Sequence, residues 1–393
     1  MPIDFELSKE HEEIRARARD VAARIIAPQA KSSDEERRFD PELIRAVGAS
    51  GLLGGPIQKT YGGLGLDHVA QALVYEEFGK VDSSVRGFMA VQTGLVASCI
   101  QDWGSDEQKE KWLPKLCSAE AIGCYGLTEE DAGSDVASMK SRAVRKGDAW
   151  VLNGSKMWIT NGTVADCALL FAQADPEQKH RGITCFLLPT DFPGFVREKM
   201  EAPELGHRGS VHARFRFENL EISDSLRMGE VGQGFEIAMS ALDHGRVGVA
   251  AGAVGVHAAC MDACIDYARK RRQFGKRIGD FQLVQKTLTD MHCSLEAARY
   301  LTWKAAWDKD RGRPATRSVS VAKLFATEAA AEACHQAVLL HGGRGYNNEF
   351  PVERYLRDIV GLEIYEGSSN IQRIIIARDL VGKDKTRHDQ DSR

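Results

Sequence analysis

The apolar runs Cys167-Ala-Leu-Leu-Phe171 and Ile183-Thr-Cys-Phe-Leu-Leu188 decide the fold class of this chain. Shorter runs that begin at Trp150 and at Ala213 repeat the pattern, and glycine, asparagine, aspartate or proline stands between them. Short apolar or alternating runs separated by turn residues are typical of an antiparallel β domain. The sequence therefore predicts strands from about residue 123 to residue 224.

On either side of this β zone, the apolar residues follow helical spacing. Ile14, Ala18, Val21 and Ile25 lie on one face of a predicted helix,. Beyond Gly234 the chain is rich in helix-forming residues, and helices of up to roughly 25 residues suit a helical bundle. The sequence predicts an α+β protein with four segments: an all-α domain over 1–122, a β domain over 123–228, a helical domain over 229–382 and a polar tail over 383–393.

The composition is that of an ordinary globular protein, with 393 residues, 43% hydrophobic and 27% charged,. The net charge of −4 gives no electrostatic reason to expect nucleic acid binding,. We expect neither a transmembrane helix nor a secretory signal, because no long apolar run occurs and the N-terminus is charged. Nine cysteines without zinc-like spacing indicate reduced thiols in a cytoplasmic protein and no metal site,.

Two motifs in the β zone carry candidate binding chemistry. In Tyr125-Gly-Leu-Thr-Glu-Glu-Asp-Ala-Gly-Ser-Asp135, the backbone N–H groups at Gly133 and two hydroxyls are able to hold a phosphate or a heterocycle edge,. The alternative is an acidic β-turn. In Asn153-Gly-Ser-Lys-Met-Trp-Ile-Thr-Asn-Gly162, Trp158 and Thr160 share one strand face and are able to wall a planar cofactor,. The alternative is a core tryptophan.

Three motifs in the C-terminal zone remain ambiguous on the residues alone. Six basic residues within Arg269-Lys-Arg-Arg-Gln-Phe-Gly-Lys-Arg277 suit a pyrophosphate or a solvated helix end,. In Ile364-Tyr-Glu-Gly-Ser-Ser-Asn370, the lone Glu366 is either a general base with a raised pKa or a capping residue,. Asp243 and Arg246, three apart in an apolar helix, either bind a polar substrate or pair with each other,.

Taken together, these motifs resemble the acyl-CoA dehydrogenase family over about residues 5–382. The most specific matches are Leu127-Thr-Glu-Glu-Asp-Ala-Gly-Ser-Asp135, Gln273-Phe-Gly-Lys276 with Gln282 beyond it, and Tyr365-Glu-Gly-Ser-Ser-Asn-Ile-Gln-Arg373. The resemblance implies an N-terminal helical domain, a middle antiparallel β-sandwich or barrel, and a C-terminal four-helix bundle. It also implies a homotetramer with FAD held between the β and C-terminal domains.

The resemblance assigns cofactor contacts residue by residue. Residues of the β zone match the surroundings of the flavin ring, and Ser134 also matches a contact to the substrate's pantetheine. Arg271, Phe274 and Gln282 match positions that hold the FAD of a neighbouring subunit. The complete set is Tyr125, Leu127, Thr128, Gly133, Ser134, Trp158, Ile159, Thr160, Arg271, Phe274, Gln282, Leu339, Gly342, Gly343, Ser368 and Asn370.

The resemblance also implies the reaction. Glu366 matches the base that removes the α-proton of an acyl thioester, and the product is a trans-2-enoyl thioester. Some members carry their base at the place of Gly245, and glycine cannot serve there, which favours Glu366. The matched substrate contacts are Arg86, Ser134, Asp243, Arg246, Tyr365 and Gly367. Electron-transferring flavoprotein is the implied acceptor, in fatty acid or amino acid catabolism.

Some positions depart from the family pattern. Leu339 stands where glutamine is common, which puts one flavin contact in doubt. Ser368 and Asn370 stand where threonine and glutamine are frequent, and both retain hydrogen-bonding ability.

The acyl group is the least determined feature. Val81-Asp-Ser-Ser-Val-Arg-Gly-Phe-Met-Ala-Val-Gln92 resembles the glutaryl-CoA dehydrogenase branch, where the arginine matched by Arg86 binds a distal carboxylate. That branch has an acid at the place of Gly79 and a serine at that of Ala90, so Arg86 is alternatively part of a structural ion pair,. A similar stretch occurs in dehydrogenases of carrier-protein-bound polyketide extender units.

The leading hypothesis is oxidation of a short acyl-CoA. The alternatives are a dicarboxylic acyl-CoA dehydrogenase of the glutaryl type and a dehydrogenase of an acyl-carrier-protein-bound unit in secondary metabolism. A non-catalytic flavoprotein is disfavoured because Glu366 is present. An oxidase variant stays open, since residues alone do not report oxygen access.

Overall fold

The computed structural model describes residues 6–382 and divides them into helices, a sheet and helices again, as the sequence predicts. The predicted polar tail, 383–393, lies outside the described residues. The N-terminal helices are α1 (Lys9–Val21), α2 (Ala27–Glu36), α3 (Pro41–Ala49), α4 (His68–Gly79), α5 (Ser83–Met89), α6 (Ser98–Trp103) and α7 (Asp106–Ser118).

Side-chain caps begin most of these helices. The Asp67 side chain accepts a hydrogen bond from the backbone N–H of Ala70 at the start of α4, and Ser105 and Gln108 form a capping box on α7,. Two π-helical segments, Ala22–Ile26 and Ala90–Ala97, join α1 to α2 and α5 to α6. The second segment lies beside the functional site, which is a common place for such irregular turns.

One eight-stranded sheet forms the middle domain. Its strands are β1 (Gly123–Gly126), β2 (Arg142–Lys146), β3 (Ala149–Thr160), β4 (Cys167–Gln173), β5 (Ile183–Pro189), β6 (Phe195–Lys199), β7 (His212–Ser223) and β8 (Arg227–Met228). The order is β6-β7-β3-β2-β4-β5-β8, with β1 beside β4. Trp150 of β3 packs edge-on against Phe186 of β5, with ring centroids 5.5 Å apart, and this contact shows that the sheet folds onto itself. This confirms the predicted sandwich.

The sheet is mixed rather than purely antiparallel. Strand β1 pairs with β4 in parallel, and a single pair joins β2 to β4 in parallel, whereas the other ladders are antiparallel. β1 follows directly from α7, so it enters the sheet without a hairpin partner. Strand β4 is buried along its whole length, since it carries the sandwich core on one face and the N-terminal helices on the other.

Five helices form the C-terminal domain: α8 (Gly234–Lys270), α9 (Gln282–Asp310), α10 (Thr316–His341), α11 (Val352–Ile364) and α12 (Ser369–Val381). A two-stranded ribbon, β9 (Arg272–Gln273) and β10 (Lys276–Arg277), connects α8 to α9. Judged by length and composition alone, helix α8 is long and apolar enough to cross a membrane. However, 78% of its most apolar stretch is buried inside the protein. It is the central helix of the core, which it shares with the N-terminal helices.

Helices α4 and α8 approach each other at backbone distance, and glycine makes this possible. A Cβ at Gly79 would lie 2.7 Å from the carbonyl oxygen of Gly252, and a Cβ at Gly255 would lie 2.2 Å from that of Glu76. No side chain fits in such a gap. The contact fixes the position of α4 against the helix that carries Asp243 and Arg246.

Candidate active site

The loop between α11 and α12 carries Glu366 in an unusual backbone conformation. Glu366 has φ +56° and the next residue, Gly367, has φ +89°. A left-handed conformation is rare for a side-chain-bearing residue and costs about 1–3 kcal/mol, so it persists only where the surroundings impose it. Such strained residues cluster at functional sites.

Three donors impose this conformation by holding the loop's carbonyl groups. Arg246 Nε donates to the Glu366 carbonyl oxygen at 3.0 Å. Lys323 Nζ donates to the Gly367 carbonyl oxygen at 2.7 Å, and Gln372 Nε2 donates to the same oxygen at 2.9 Å. Arg246 is itself oriented by Asp243, whose Oδ1 lies 3.0 Å from Nη1. The predicted residues Asp243, Arg246, Glu366 and Gly367 therefore meet at one place.

The Glu366 side chain lies against Gly245 of α8. A Cβ at Gly245 would be 2.1 Å from Oε2 of Glu366, so only glycine leaves room for the carboxylate. Oε2 is shielded from solvent and has no hydrogen-bond partner within residues 6–382. A buried polar atom without a partner is costly, and such atoms occur where a water, an ion or a catalytic role accounts for them.

Burial sets the protonation behaviour of Glu366. It raises the pKa of the carboxyl group to about 7, although Arg86, Lys323 and Arg246 act in the opposite direction. A carboxyl group with a pKa near neutrality is well matched to proton abstraction at physiological pH. Burial likewise lowers the pKa of Lys323 to about 8, while the Glu366 charge opposes that change.

Arg86 of α5 is buried next to this loop, with 1% of its surface exposed. Its Nη2 donates to the hydroxyl of Tyr365, and its Nε lies against Gly252, where a Cβ would be 2.7 Å away. Nε and Nη1 have no hydrogen-bond partner, and no carboxylate within residues 6–382 lies within 4.0 Å of the guanidinium. The alternative of a structural ion pair therefore finds no support in the described protein.

The β-domain residues predicted to meet the flavin lie at neighbouring strand ends. The N–H of Met157 donates to the carbonyl oxygen of Thr128 at 2.9 Å, which joins the end of β1 to the segment before Trp158. Trp158 has φ +60° at a bulge of β3 and remains 52% exposed. Tyr125 donates its hydroxyl to the carbonyl oxygen of Ala238 in α8, at 3.2 Å. The remaining members of this group are Leu127 and Ile159, which are buried, Thr160, which is partly buried, and Gly133 and Ser134, which are exposed.

The other predicted cofactor residues lie in a separate, exposed group on the C-terminal domain. Phe274 is 93% exposed and Leu339 is 58% exposed. The ring stack of Tyr267 and His341, with centroids 4.3 Å apart, places the two segments that carry them side by side. Arg271, Gln282, Gly342 and Gly343 are also exposed, and Asn370 is exposed at the start of α12 beside the partly buried Ser368. None of the contacts among residues 6–382 joins Arg271, Phe274 or Gln282 to Glu366.

Sequence reasoning missed three residues of the site. Lys323 is the charged member of the buried face of α10, among Val319, Ala322 and Ala326, and this isolation was a usable signal. Gln372 lies inside the quoted terminal motif, but its inward direction was not readable. Tyr75 of α4 packs its ring against Gly248, a contact that depends on helix packing.

This arrangement can take a proton from a carbon acid and can hold FAD beside it. An indole left exposed on left-handed backbone, with threonine hydroxyls nearby, suits a planar ring rich in hydrogen-bond acceptors. The exposed Arg271 suits a pyrophosphate. Within residues 6–382, no group of three or more His, Cys, Asp or Glu side chains is placed to bind a metal ion.

Family models match the chain in three consecutive segments: Acyl-CoA dehydrogenase, N-terminal domain, over residues 8–120, the middle domain over 124–220 and the C-terminal domain over 232–381. The short-chain specific acyl-CoA dehydrogenase of rat (Rattus norvegicus) mitochondria is 40% identical over 96% of this chain and 91% of its own length.

Two solved structures are similar over almost the whole chain. A glutaryl-CoA dehydrogenase in complex with glutaryl-CoA superposes with a TM-score of 0.94 at 39% identity, over 98% of each chain. The prolyl acyl carrier protein oxidase AnaB superposes with a TM-score of 0.92 at 33% identity, over 95% of this chain and 100% of its own. The chain therefore belongs to the acyl-CoA dehydrogenase family, whose members are FAD-dependent oxidoreductases that act on CH–CH donors.

Proposed function

We propose that this enzyme dehydrogenates a short acyl-CoA between its α and β carbons and releases the trans-2-enoyl-CoA. One observation carries the proposal: the carboxyl group of Glu366 lies against Gly245, has one oxygen that is shielded from solvent and unpartnered among residues 6–382, and has a pKa of about 7. A desolvated base of this kind is suited to a weakly acidic C–H. The similarity to the rat short-chain enzyme supports the acyl class.

In the proposed mechanism, Glu366 accepts the α-proton on its carboxylate. The donors Arg246, Lys323 and Gln372 hold the carbonyl groups of residues 366 and 367 and so stabilise the loop that carries the backbone N–H of Glu366. That N–H stabilises negative charge on the thioester oxygen as the proton leaves, and a preorganised donor of this kind lowers the barrier more than a mobile one. Asp243 and Arg246 orient the tail of the thioester.

FAD would be held by the residues that are predicted to contact it. Trp158, Thr160, Tyr125, Leu127 and Thr128 would surround the ring system, with the remaining predicted contacts at Gly133, Ser134, Ile159, Ser368 and Asn370. The chemistry that FAD supplies when bound is acceptance of two electrons and the β-hydrogen. The protein's own contribution is the base, the orientation of the thioester and exclusion of water.

We further propose that the enzyme is a cytoplasmic homotetramer that passes electrons to electron-transferring flavoprotein. The exposed group around Phe274 and Leu339 supports assembly, because large apolar side chains at the surface mark an interaction site,. Arg271, Phe274, Gln282, Gly342 and Gly343 would then complete the FAD site of a neighbouring subunit. We also propose that the N-terminal domain ends at residue 122 and the middle domain at residue 228.

A second candidate is a dicarboxylic acyl-CoA of the glutaryl type, and Arg86 favours it. A buried guanidinium with two unpartnered nitrogens, and with no carboxylate of residues 6–382 within 4.0 Å, is poised for an incoming anion,. The likeness to the glutaryl-CoA dehydrogenase complex is consistent with this candidate. The missing acid and serine, at Gly79 and Ala90, weaken it.

Anaerobic bleaching of the flavin absorbance near 450 nm tests the proposed function. The panel holds butyryl-, isobutyryl-, 2-methylbutyryl- and glutaryl-CoA, each also loaded on a carrier protein. We expect rapid bleaching by a short CoA ester. Bleaching by carrier-bound esters alone would favour the alternative function, dehydrogenation of a carrier-bound acyl unit in secondary metabolism. If no ester bleaches the flavin, the proposal is refuted.

Arg86→Ala separates the two candidate acyl classes. If Arg86 binds a distal carboxylate, the variant should lose about 100-fold in kcat/KM for glutaryl-CoA, because a charged hydrogen-bonded pair is lost. Butyryl-CoA has no such group and should lose far less. Equal losses on both substrates would eliminate the carboxylate role.

A further inference from the structure

Helix α8 places three glycines in a row beneath three polar side chains of the site. The Gly245 position lies under Glu366, the Gly248 position lies 3.0 Å from Cε2 of Tyr75, and the Gly252 position lies 2.7 Å from Nε of Arg86, each measured from a Cβ built there. With a rise of about 1.5 Å per residue, the three positions span roughly 10 Å along the helix. Tyr75 is therefore between the base and the guanidinium.

The Tyr75 ring is fixed in this position from several sides. It belongs to α4 and only 4% of it is exposed. Its hydroxyl lies 3.3 Å from a Cβ built at Gly94, and that same Cβ lies 3.7 Å from the Cα of Gly245. The backbone contact of α4 with α8 at Gly79 prevents the helix from withdrawing.

We infer that Tyr75 ends the acyl pocket and limits the length of the chain that this enzyme accepts. The inference rests on the proposed function and deepens it. The rise from Gly245 to Gly248 is about 4.5 Å. An extended chain advances roughly 1.3 Å per carbon when each bond is about 1.5 Å long. About three carbons therefore fit between the α-carbon at Glu366 and the ring, so a butyryl group is accommodated and a hexanoyl group is not.

A second observation supports the ring as a barrier rather than a replaceable packing group. Glycine at positions 94 and 248 leaves space around the ring, and Tyr75 itself occupies that space. A smaller residue at position 75 would open a cavity along α8 toward Arg86. Core cavities of this kind stay open because the surrounding structure relaxes only in part.

The test compares Tyr75→Leu with Phe78→Leu in the FAD-loaded enzyme. Both positions lie in the same helix, both side chains are buried aromatics, and both changes remove the ring. We measure kcat/KM for butyryl-, hexanoyl- and octanoyl-CoA. Tyr75→Leu should raise the hexanoyl-to-butyryl ratio by at least about tenfold, since each methylene accommodated in an apolar pocket is worth about that much. Phe78→Leu should leave the ratio unchanged.

Tyr75→Phe provides a second variant that retains the ring and is expected to keep the wild-type ratio. An unchanged ratio in Tyr75→Leu, with wild-type turnover on butyryl-CoA intact, would overturn the inference and leave the proposed function standing. A changed ratio in Tyr75→Phe would assign the effect to the hydroxyl and also overturn it. If the wild-type enzyme oxidises no acyl-CoA, both the inference about Tyr75 and the proposed function are wrong.

Discussion

The two sides of the active site differ in how far a single chain completes them. Around Glu366, the carbonyl groups of residues 366 and 367 find donors within the chain, and the carboxylate fits a space that one glycine leaves. On the cofactor side, Trp158, Phe274 and Leu339 expose 52%, 93% and 58% of their surfaces. The catalytic side is built by one chain, whereas the cofactor side is left exposed and, in our proposal, is completed by FAD and a second subunit.

The same contrast is seen between two single carboxylates, Glu129 and Glu366. Glu129 pairs with the buried Lys156 at 2.7 Å; burial would raise its pKa, but the neighbouring ammonium lowers it overall. Glu366 has no ion-pair partner at this distance among the described residues, and its pKa rises to about 7. A paired buried carboxylate maintains structure, and an unpaired one is available for chemistry.

Glu366→Gln should have the largest effect on turnover. Glutamine preserves the shape of the side chain but cannot accept a proton at pH 7. We expect kcat to fall by about 10²–10⁴-fold, the range associated with loss of a general base. The protein should remain folded and yellow, because the cofactor contacts are elsewhere.

Stopped-flow bleaching with butyryl-CoA measures this loss. The matched control is Glu363→Gln, three residues earlier in the last turn of α11 and, like Glu366, partly buried. It should keep near-normal turnover. Near-normal turnover in Glu366→Gln itself would show that the base has been assigned to the wrong residue.

Gly245→Ala should be the next most damaging change. The new Cβ would lie 2.1 Å from Oε2, so the carboxylate must move. A displacement of about 1 Å at a reacting group costs on the order of 100-fold in rate. We expect that loss in kcat with little change in FAD content. Gly87→Ala, where a Cβ has one neighbour at 4.0 Å, is the control and should behave as wild type.

The sequence predicts the catalytic side better than the packing behind it. The order of helices, strands and helices follows from apolar spacing. The lone acid beside Gly-Ser-Ser leaves Glu366 as a base or a capping residue, and the resemblance to the family favours the base. Gly245 was identified through the family pattern, but its physical role is visible only in three dimensions.

Other features could not be predicted because they depend on which helices meet. Lys323 lies 43 residues before Glu366 in the sequence, yet it donates to the carbonyl oxygen of the following glycine. Tyr75 enters the site only because glycines let α4 and α8 touch. The parallel pairing of β1 with β4 also escapes a rule that relies on hairpins, since local turn signals report only neighbours in sequence,.

Phe274→Asp tests the cofactor side. If Phe274 stays in water, the substitution should change stability by less than about 0.5 kcal/mol and affect nothing else. If a partner subunit or FAD covers it, a charge is forced into that contact. We expect at least about tenfold weaker FAD binding and a smaller assembly, since burying an unpaired charge costs more than 1.4 kcal/mol.

Flavin retention and size by light scattering measure both effects after gel filtration. Val144→Asp is the control, because Val144 is also an exposed apolar residue, at 55%, but lies on β2 away from the predicted contacts. A Phe274→Asp enzyme with normal size and flavin content would contradict the account of the cofactor side.

The smallest expected effect is a shift in the pH dependence of kcat/KM. The groups that face Glu366 are Arg86 from α5, Lys323 from α10 and Arg246 from α8, and burial outweighs all three to raise the pKa to about 7. Only the deprotonated base accepts the α-proton, so kcat/KM for butyryl-CoA should rise with pH through about 7 and then level off.

Arg86→Ala removes the largest of the charges that lower this pKa. The rising limb should therefore move to higher pH, by about one pH unit, as expected when an opposite charge near a carboxyl group is lost. Arg86→Lys retains the charge and should retain most of the wild-type profile. Butyryl-CoA carries no distal carboxylate, so a change in substrate binding at Arg86 does not enter. If the rising limb of the pH profile does not move in Arg86→Ala, burial, Lys323 and Arg246 alone set the pKa of Glu366. The role left for Arg86 would then be to bind the substrate.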